Sequence, residues 1–158
     1  MHFDLVELKN NLNKFKFHTV GKVQFHEVDS FKVVHNLSYL YWTEISRVEY
    51  CNNLNIGVVP VASAAPDFSV FLVHSEVNYF NPARFLDNYL VYTRVKSLGF
   101  SSLEFEHFIT SETGDLLVTN NAIEVYVNKD RVPIEIPKPI KEKIINFEGG
   151  NLIIKEKK

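Results

Sequence analysis

The sequence predicts an α+β fold in which an antiparallel sheet of five to six strands wraps around one long central helix. One long stretch with helical periodicity begins near Asn36, and four consecutive segments with strand character follow it. Apolar residues surround most of the predicted helix, so most of its surface must be covered. A curled sheet is the simplest element that covers a helix in this way.

Composition indicates a single globular domain. Of the 158 residues, 46% are hydrophobic and 23% are charged, which is typical of a folded chain with a substantial core. We expect one domain over residues 1–158, with its core over residues 15–145. The net charge is −2, whereas nucleic-acid binding needs a basic surface. No apolar run reaches the roughly 20 residues of a membrane helix. Neither nucleic acid nor a membrane is therefore expected as a partner.

The first residues and the cysteine count bear on the compartment. The N-terminal segment lacks the basic start and apolar centre of a signal peptide. Cys51 is the only cysteine, so an internal disulfide cannot form and a reducing environment is favoured. We expect a cytoplasmic protein.

The first strand and the central helix follow from periodicity. From Phe15 the chain alternates up to a break near Asp29, with Gly21 as a bulge or a point of close approach. Asn36 is the predicted N-cap of the helix that follows. Its predicted buried face consists of residues spaced by three and four positions: Leu37, Tyr41, Ile45, Val48 and Cys51. Glu44 and Arg47, on the same helix, are expected to form an ion pair.

The second half of the chain has strand character. The predicted strands cover Phe68–Phe80, Tyr89–Leu98, Phe100–Thr110 and Leu116–Val127. The first is almost continuously apolar, which is typical of a central strand covered on both faces. Residues 58–66 are predicted as a loop or short edge segment. Residues 112–115 are predicted as a hairpin turn, residues 138–147 as a short amphipathic helix, and residues 151–158 as an edge strand or tail.

Asp29 stands out because it precedes the N-terminus of the predicted helix. The first backbone N–H groups of a helix are free and carry a partial positive charge, which can stabilise an oxyanion. A carboxylate beside them can attack a carbonyl or activate a water. The pattern therefore points to a hydrolytic site; the alternative is a carboxylate that merely ends a strand or caps a turn.

Two sequence motifs lie around Asp29. The segment F-x-E-V-D ends at Asp29, and V-V-H-N-x-x-Y-L begins at Val33. Further segments follow in order: Trp42–Glu49, Asn81–Ala83, Asp87–Thr93, Gly99–Phe105 and Ile136–Pro137. Together these segments, over roughly residues 15–145, resemble the hotdog-fold acyl-CoA thioesterases of the 4-hydroxybenzoyl-CoA thioesterase and YbgC-like group.

The resemblance implies roles for individual residues. Asp29 would be the catalytic carboxylate, the backbone N–H near Asn36 would polarise the thioester carbonyl, and Tyr39 would line the acyl pocket. Family members are usually dimers or dimer-based tetramers with the active site at the subunit boundary. The chain departs from the family where Gly often stands three residues after the catalytic Asp, since Lys32 occupies that position.

Other residues are candidates on chemical grounds. Phe31 and Phe25 would add to an aromatic acyl pocket. His35 is either a general base or, more simply, a loop residue that orders the turn. Lys96 could contact the phosphates of CoA, the alternative being a solvated charge on a strand. His26 and His74 lack further ligands at a recognisable spacing, so no metal site is expected.

The sequence therefore predicts an acyl-CoA thioesterase that acts as a homodimer or homotetramer and needs no cofactor, since CoA is part of the substrate. Asp29 would be the nucleophile or general base. Two alternatives stay open: a hotdog dehydratase acting on hydroxyacyl carrier proteins, and a non-catalytic acyl-binding protein.

Overall fold

The computed structural model describes residues 5–57 and 68–155. The predicted loop over residues 58–66 lies outside the described residues. The helices are α1 (Leu5–Leu12), α2 (Asn36–Asn53) and α3 (Lys138–Glu148). The strands are β1 (His18–Lys22), β2 (Phe68–Tyr79), β3 (Asn88–Leu98), β4 (Ser102–Ser111), β5 (Leu116–Asn128) and β6 (Ile153–Ile154). Short 3₁₀ turns cover Phe25–Glu27 and Gly149–Asn151.

The six strands form one sheet in the order β1-β3-β4-β5-β2, with β6 beside β3. All pairings are antiparallel except that of β6 with β3. The predicted α+β architecture, a six-stranded sheet with one long helix, is confirmed.

The prediction for β2 was wrong. This strand lies at an edge of the sheet and pairs with β5. Its apolar residues Phe71, Leu72 and Val73 are 42%, 53% and 59% exposed. A continuous apolar run predicts that both faces are covered, but it does not say that the covering atoms belong to the same chain.

The predicted buried face of α2 was also wrong in part. Leu37, Tyr41 and Ile45 are 50%, 63% and 58% exposed; we call these three residues the α2 stripe. The buried residues of α2 are aromatic or small and polar, together with the charged Arg47 and with Cys51: Ser38, Tyr39, Trp42, Thr43, Ser46, Arg47, Tyr50 and Cys51. Periodicity selects the most apolar face, whereas the polar groups of the buried face are satisfied by the sheet.

Two contacts show how the sheet satisfies those polar groups. Ser46 Oγ and Thr93 Oγ1 are 2.7 Å apart, so a hydroxyl bond joins α2 to β3. Arg47 Nε lies 2.9 Å from Glu124 Oε1 on β5. The expected pair of Arg47 with Glu44 is therefore replaced by a largely buried ion pair that ties α2 to the sheet.

Strand β1 is shorter than predicted and ends at Lys22. Phe25, placed on the buried face by alternation, lies in the following 3₁₀ turn and is 81% exposed. The predicted close approach at Gly21 is confirmed, because a Cβ at this position would overlap the ring of Tyr89. The N-terminal helix α1 was not predicted.

The predicted C-terminal elements are confirmed where the structure describes them. Gly114 has φ +92° in the turn between β4 and β5, a conformation that favours glycine. Helix α3 buries Ile144, while Ile145 is 42% exposed. The two-residue strand β6 extends the sheet beside β3.

Candidate functional site

The segment between β1 and α2 is held against the sheet at both of its ends. The Val23 amide donates to the Asp87 carbonyl at 2.9 Å, and the Val34 amide donates to the Ala83 carbonyl at 2.9 Å. Both Val23 and Val34 are buried. The segment that carries Asp29 is therefore built into the core and is not a free surface loop.

Between these anchors the chain turns back on itself. Val28 pairs with Val34, the Asp29 amide donates to the Val33 carbonyl at 2.9 Å, and the His35 amide donates to the Glu27 carbonyl at 2.8 Å. Asp29 thus lies two ladder positions beyond the Glu27–His35 pair, a distance of roughly 7 Å along the strand direction. The pairing brings the predicted carboxylate close to the start of α2.

The Asp29 side chain is half-buried and uses one of its two oxygens locally. Its Oδ1 accepts the Phe31 amide at 2.8 Å, which fixes the turn. Its Oδ2 has no hydrogen-bond partner among the described residues. One lone-pair-bearing oxygen therefore stays available for chemistry.

The N-terminus of α2 differs from the prediction in its cap. The helix begins at Asn36, and the N-cap is His35, whose Nδ1 accepts the Leu37 amide at 3.2 Å. The Ser38 amide donates to the His35 carbonyl at 2.9 Å. His35 occupies this position because its ring can reach the second helical amide, as the shorter capping side chains do.

These capping bonds leave one amide of the first turn free. Among the described residues, the Asn36 N–H has no hydrogen-bond acceptor, and Asn36 is exposed. A free N–H at the positive end of a helix is a donor for a developing oxyanion. The backbone role predicted for Asn36 is compatible with this geometry; its predicted N-cap role is corrected to His35.

The backbone at Lys32 bears on one departure from the family pattern, the lysine that stands where the family often has glycine. Its φ is +62°, a left-handed conformation that glycine adopts without a steric penalty. The Lys32 amide donates to the Asp29 carbonyl at 3.0 Å. The loop therefore keeps the conformation for which glycine is favoured even though a lysine is present.

The remaining predicted side chains do not form a pocket around Asp29 in the single chain. Phe31 is 84% exposed. Tyr39 is 3% exposed, and its hydroxyl accepts the Ala83 amide at 2.9 Å. Desolvation by burial raises the pKa of Tyr39. Tyr39 therefore supports the site from within the core and has almost no surface for an acyl group.

Lys96 lies at the other end of β3 from the Ala83–Asp87 segment that anchors the site. Its Nζ is 3.3 Å from Glu104 and 3.9 Å from Glu106. A distance of roughly 30 Å along the strand separates Lys96 from Asp87. The structure does not bring Lys96 to Asp29, and contact with CoA phosphates stays a prediction.

Three further residues reach the site without having been predicted as members of it. The Glu27 carboxylate accepts the Gln24 amide from before the Asp29 turn and the Trp42 indole N–H from α2. The Tyr79 hydroxyl donates to the Asn36 carbonyl at 3.3 Å. Glu27 belongs to the F-x-E-V-D segment, so the motif contained a signal that sequence reasoning did not use. The contact of Tyr79 joins residues 43 positions apart and has no local signal.

A cleft of about 460 Å³ lies between α2 and β1. Trp42 and Ile45 line it from the helix, and Val20 and Tyr89 from the sheet. Across residues 5–57 and 68–155, three or more His, Cys, Asp or Glu side chains do not come together in a group that could hold a metal ion. No described helix combines the length and apolarity needed to cross a membrane.

One known family is similar to this chain over most of its length. The family model of the thioesterase-like superfamily matches residues 23–144, which include the Asp29 segment, α2 and β2–β5. The chain therefore belongs to the thioesterase-like superfamily and is a thioester hydrolase of the hotdog fold.

Three individual relatives share only about a quarter or less of their residues with this chain. A curated relative, the chloroplastic acyl-acyl carrier protein thioesterase ATL3 of Arabidopsis thaliana, is 25% identical over 143 residues, covering 89% of this chain and 74% of that protein. The crystal structure of Slr0204, a 1,4-dihydroxy-2-naphthoyl-CoA thioesterase from Synechocystis, superposes with a TM-score of 0.77 at 20% identity, covering 84% of this chain and 97% of the other. A thioesterase from Thermus thermophilus, complexed with coenzyme A and Zn, gives a TM-score of 0.73 at 26% identity, covering 86% and 96%.

Proposed function

We propose that this protein is an acyl-CoA thioesterase that hydrolyses a CoA thioester to a free carboxylic acid and CoA. The observation that carries the proposal is that a free carboxylate oxygen and a free helix amide occur together at one end of α2. Asp29 Oδ2 and the Asn36 N–H both lack partners among the described residues, and the turn from Asp29 to His35 brings them to the same end of α2.

This arrangement of a carboxylate and a helix amide suits nucleophilic or base-assisted attack on a thioester. In one route the Asp29 carboxylate attacks the carbonyl carbon, CoA leaves as a thiolate that takes up a proton, and water hydrolyses the mixed anhydride. In the other route Asp29 accepts a proton from a water that attacks the same carbon, the C–S bond breaks, and the departing CoA thiolate takes up that proton. In both routes the carbonyl oxygen becomes negatively charged, and the Asn36 amide stabilises it.

CoA is the carrier that we favour. The Thermus thermophilus thioesterase, the more similar in sequence of the two structural relatives described, is complexed with coenzyme A, whereas the plant relative is named for acyl carrier protein. A panel of acyl-CoA and acyl carrier protein thioesters of different chain lengths, with release of free thiol as the readout, compares the two carriers directly.

We propose a homodimer as the functional unit. The α2 stripe and the edge strand β2 expose apolar side chains, and the Tyr79–Asn36 bond places the end of β2 beside the start of α2. A second copy that pairs along β2 would cover both surfaces and would close the site around Asp29. Phe31, exposed in the single chain, would then gain neighbours from the partner.

The reducing cytoplasm is the compartment that we propose. Cys51 is a buried free thiol, and burial raises its pKa to about 12. A thiol in this state is a core residue, and with no second cysteine in the sequence the fold needs no disulfide, which suits a reducing compartment.

The substitution Asp29→Asn tests the catalytic role. It keeps the size of the side chain and an oxygen for the Phe31 amide, but it removes the charged oxygen. We expect kcat to fall by at least about 100-fold with little change in the melting temperature. Steady-state hydrolysis of the best acyl-CoA substrate, monitored with a thiol reagent, is the measurement.

The matched control is Asp130→Asn, an exposed aspartate in the turn after β5, which we expect to leave kcat unchanged. Near-normal turnover by Asp29→Asn would exclude the mechanism. Tight binding of acyl-CoA without thiol release by the unmodified protein would instead support an acyl-binding protein, and hydration of an enoyl thioester without release would support a dehydratase.

A further inference from the structure

Among the residues that the structure describes, Glu27 accepts four hydrogen bonds around the site. Its Oε2 accepts the Gln24 amide at 2.7 Å, and its Oε1 accepts the Trp42 indole N–H at 2.6 Å. Its carbonyl accepts the His35 amide at 2.8 Å and, at 3.5 Å, the Ser38 hydroxyl. One residue therefore joins the start of the Asp29 turn, the cap of α2 and the first two turns of α2.

The donor that Glu27 binds on α2 is itself immobilised. Trp42 is 3% exposed, and its ring stacks on Tyr89 with a centroid distance of 3.7 Å and an interplanar angle of 11°. Tyr39 contacts the indole edge-on at 4.9 Å. Rings packed on two sides cannot rotate freely, so the indole N–H is a fixed point to which the carboxylate is bonded.

The bond between the Trp42 indole N–H and the Glu27 carboxylate is a charge-assisted hydrogen bond. A hydrogen bond to an ionised acceptor is shorter and stronger than one between neutral groups. Because the Glu27 side chain is only half-exposed, solvent screens the bond less than it would at the surface. Its two carboxylate oxygens each already hold a donor, so Glu27 is occupied, whereas Asp29, two residues later, keeps Oδ2 free.

We infer that Glu27 is a positioning residue for thioester hydrolysis: through Trp42 it fixes the distance between Asp29 and the free amide of Asn36. This inference rests on the proposed function. Displacement of a catalytic group by about 1 Å can reduce the rate by about 100-fold. The Glu27–Trp42 bond and the Glu27–His35 backbone bond hold the two ends of the turn at one separation.

The test is a pair of conservative substitutions. Glu27→Gln keeps the shape but turns an amide donor toward either Gln24 N–H or the indole N–H. Trp42→Phe removes the indole N–H and keeps an aromatic ring against Tyr89. We expect each variant to lower kcat by roughly 10- to 100-fold, with KM changed by less than about threefold, and the double variant to lose no more than the more impaired single variant.

A spectroscopic readout reports directly on the bond between Glu27 and Trp42. Trp42 is the only tryptophan, so the protein gives one indole N–H resonance, and we expect Glu27→Gln to move it. Glu142→Gln, on the exposed side of α3, is the matched control and should leave both the resonance and kcat unchanged.

The outcomes distinguish this inference from the proposed function. If Asp29→Asn is inactive but Glu27→Gln keeps full kcat, the inference is overturned and the proposed function stands. If the indole resonance does not move in Glu27→Gln, or if the losses of kcat multiply in the double variant, Glu27 and Trp42 do not act together and the inference is also overturned. If Asp29→Asn keeps full kcat, the proposed function itself fails.

Discussion

The contact between Gly21 and Tyr89 shows how a single backbone position supports the site. The two residues are register partners in β1 and β3, and the Tyr89 ring lies over Gly21 where a Cβ would stand. The same ring stacks on Trp42. Burial raises the pKa of Tyr89 to about 12, so its ring is neutral at physiological pH. The missing side chain of Gly21 therefore determines where the aromatic stack lies.

The substitution Gly21→Ala should destabilise the fold, because the added methyl group overlaps an aromatic ring that is packed on its other face. We expect the free energy of unfolding to fall by about 1–3 kcal/mol, measured by urea denaturation. Gly57→Ala is the control: no heavy atom lies within 4 Å of its Cβ position, so its effect should stay within about 0.5 kcal/mol. Equal urea midpoints for the two variants would contradict the steric argument.

At the scale of elements, the short strand β6 is attached to the sheet through the carboxylate of Glu104. Lys155, just after β6, donates to Glu104 Oε2 at 2.9 Å, and the Ser97 hydroxyl donates to the same oxygen at 2.7 Å. Lys96 Nζ lies 3.3 Å from the other oxygen. Partial burial alone would raise the pKa of Glu104, but these hydrogen bonds and charges outweigh it and lower the pKa to about 2.

This shift makes the contribution of Glu104 to stability depend on pH. The ordinary value is 4.5, so the folded state is stabilised at and above that pH, and the stabilisation is lost as the pH falls toward 2. We expect Glu104→Gln to lower the free energy of unfolding by about 1 kcal/mol at pH 7, after allowance for solvent screening. The difference from the unmodified protein should shrink steadily as the pH falls from 4.5 toward 2.

Urea denaturation at a series of pH values measures this difference, with Glu142→Gln as a control for the loss of one negative charge. A difference that does not change with pH would mean that the Glu104 carboxylate has no depressed pKa in the folded chain.

At the scale of the whole molecule, the unusual feature is the amount of apolar surface on two elements. The α2 stripe and residues 71–73 of β2 are exposed, although the sequence predicts that both segments are buried. Both observations have one explanation in the proposed homodimer, since a second copy would bury them. In that dimer the apolar residues of α2 and β2 would be buried, as the sequence predicts, but the atoms that cover them would belong to the second copy.

The substitution Ile45→Asp tests the dimer. It places a charge in the α2 stripe, which we expect to convert the dimer to a monomer, because a buried unpaired carboxylate is unfavourable. Thiol release should fall with dissociation if the partner closes the site. Val132→Asp, at a position 54% exposed outside both elements, is the control. Light scattering on size-exclusion chromatography measures the mass, and a dimer that persists in Ile45→Asp would contradict the interface.

Local features of the fold could be predicted because they depend on neighbouring residues. The order of β1, α2 and four further strands followed from periodicity, and the close approach at Gly21 followed from a glycine in an alternating strand. The position of Asp29 before α2 was equally visible. The cap was missed because a histidine ring replaced the usual short side chain, and its bond to Leu37 depends on ring geometry.

The sequence by itself determined the class of fold and the placement of a carboxylate before a helix N-terminus, since these depend on patterns within a few turns of chain. Only the tertiary structure decided which face of α2 packs on the sheet, which strand lies at the edge, and that Glu27 meets Trp42. Those outcomes depend on contacts between residues far apart in sequence, such as Phe68 with Asn128 in the β2–β5 pair. Local periodicity contains no information about which distant residue satisfies a buried polar group.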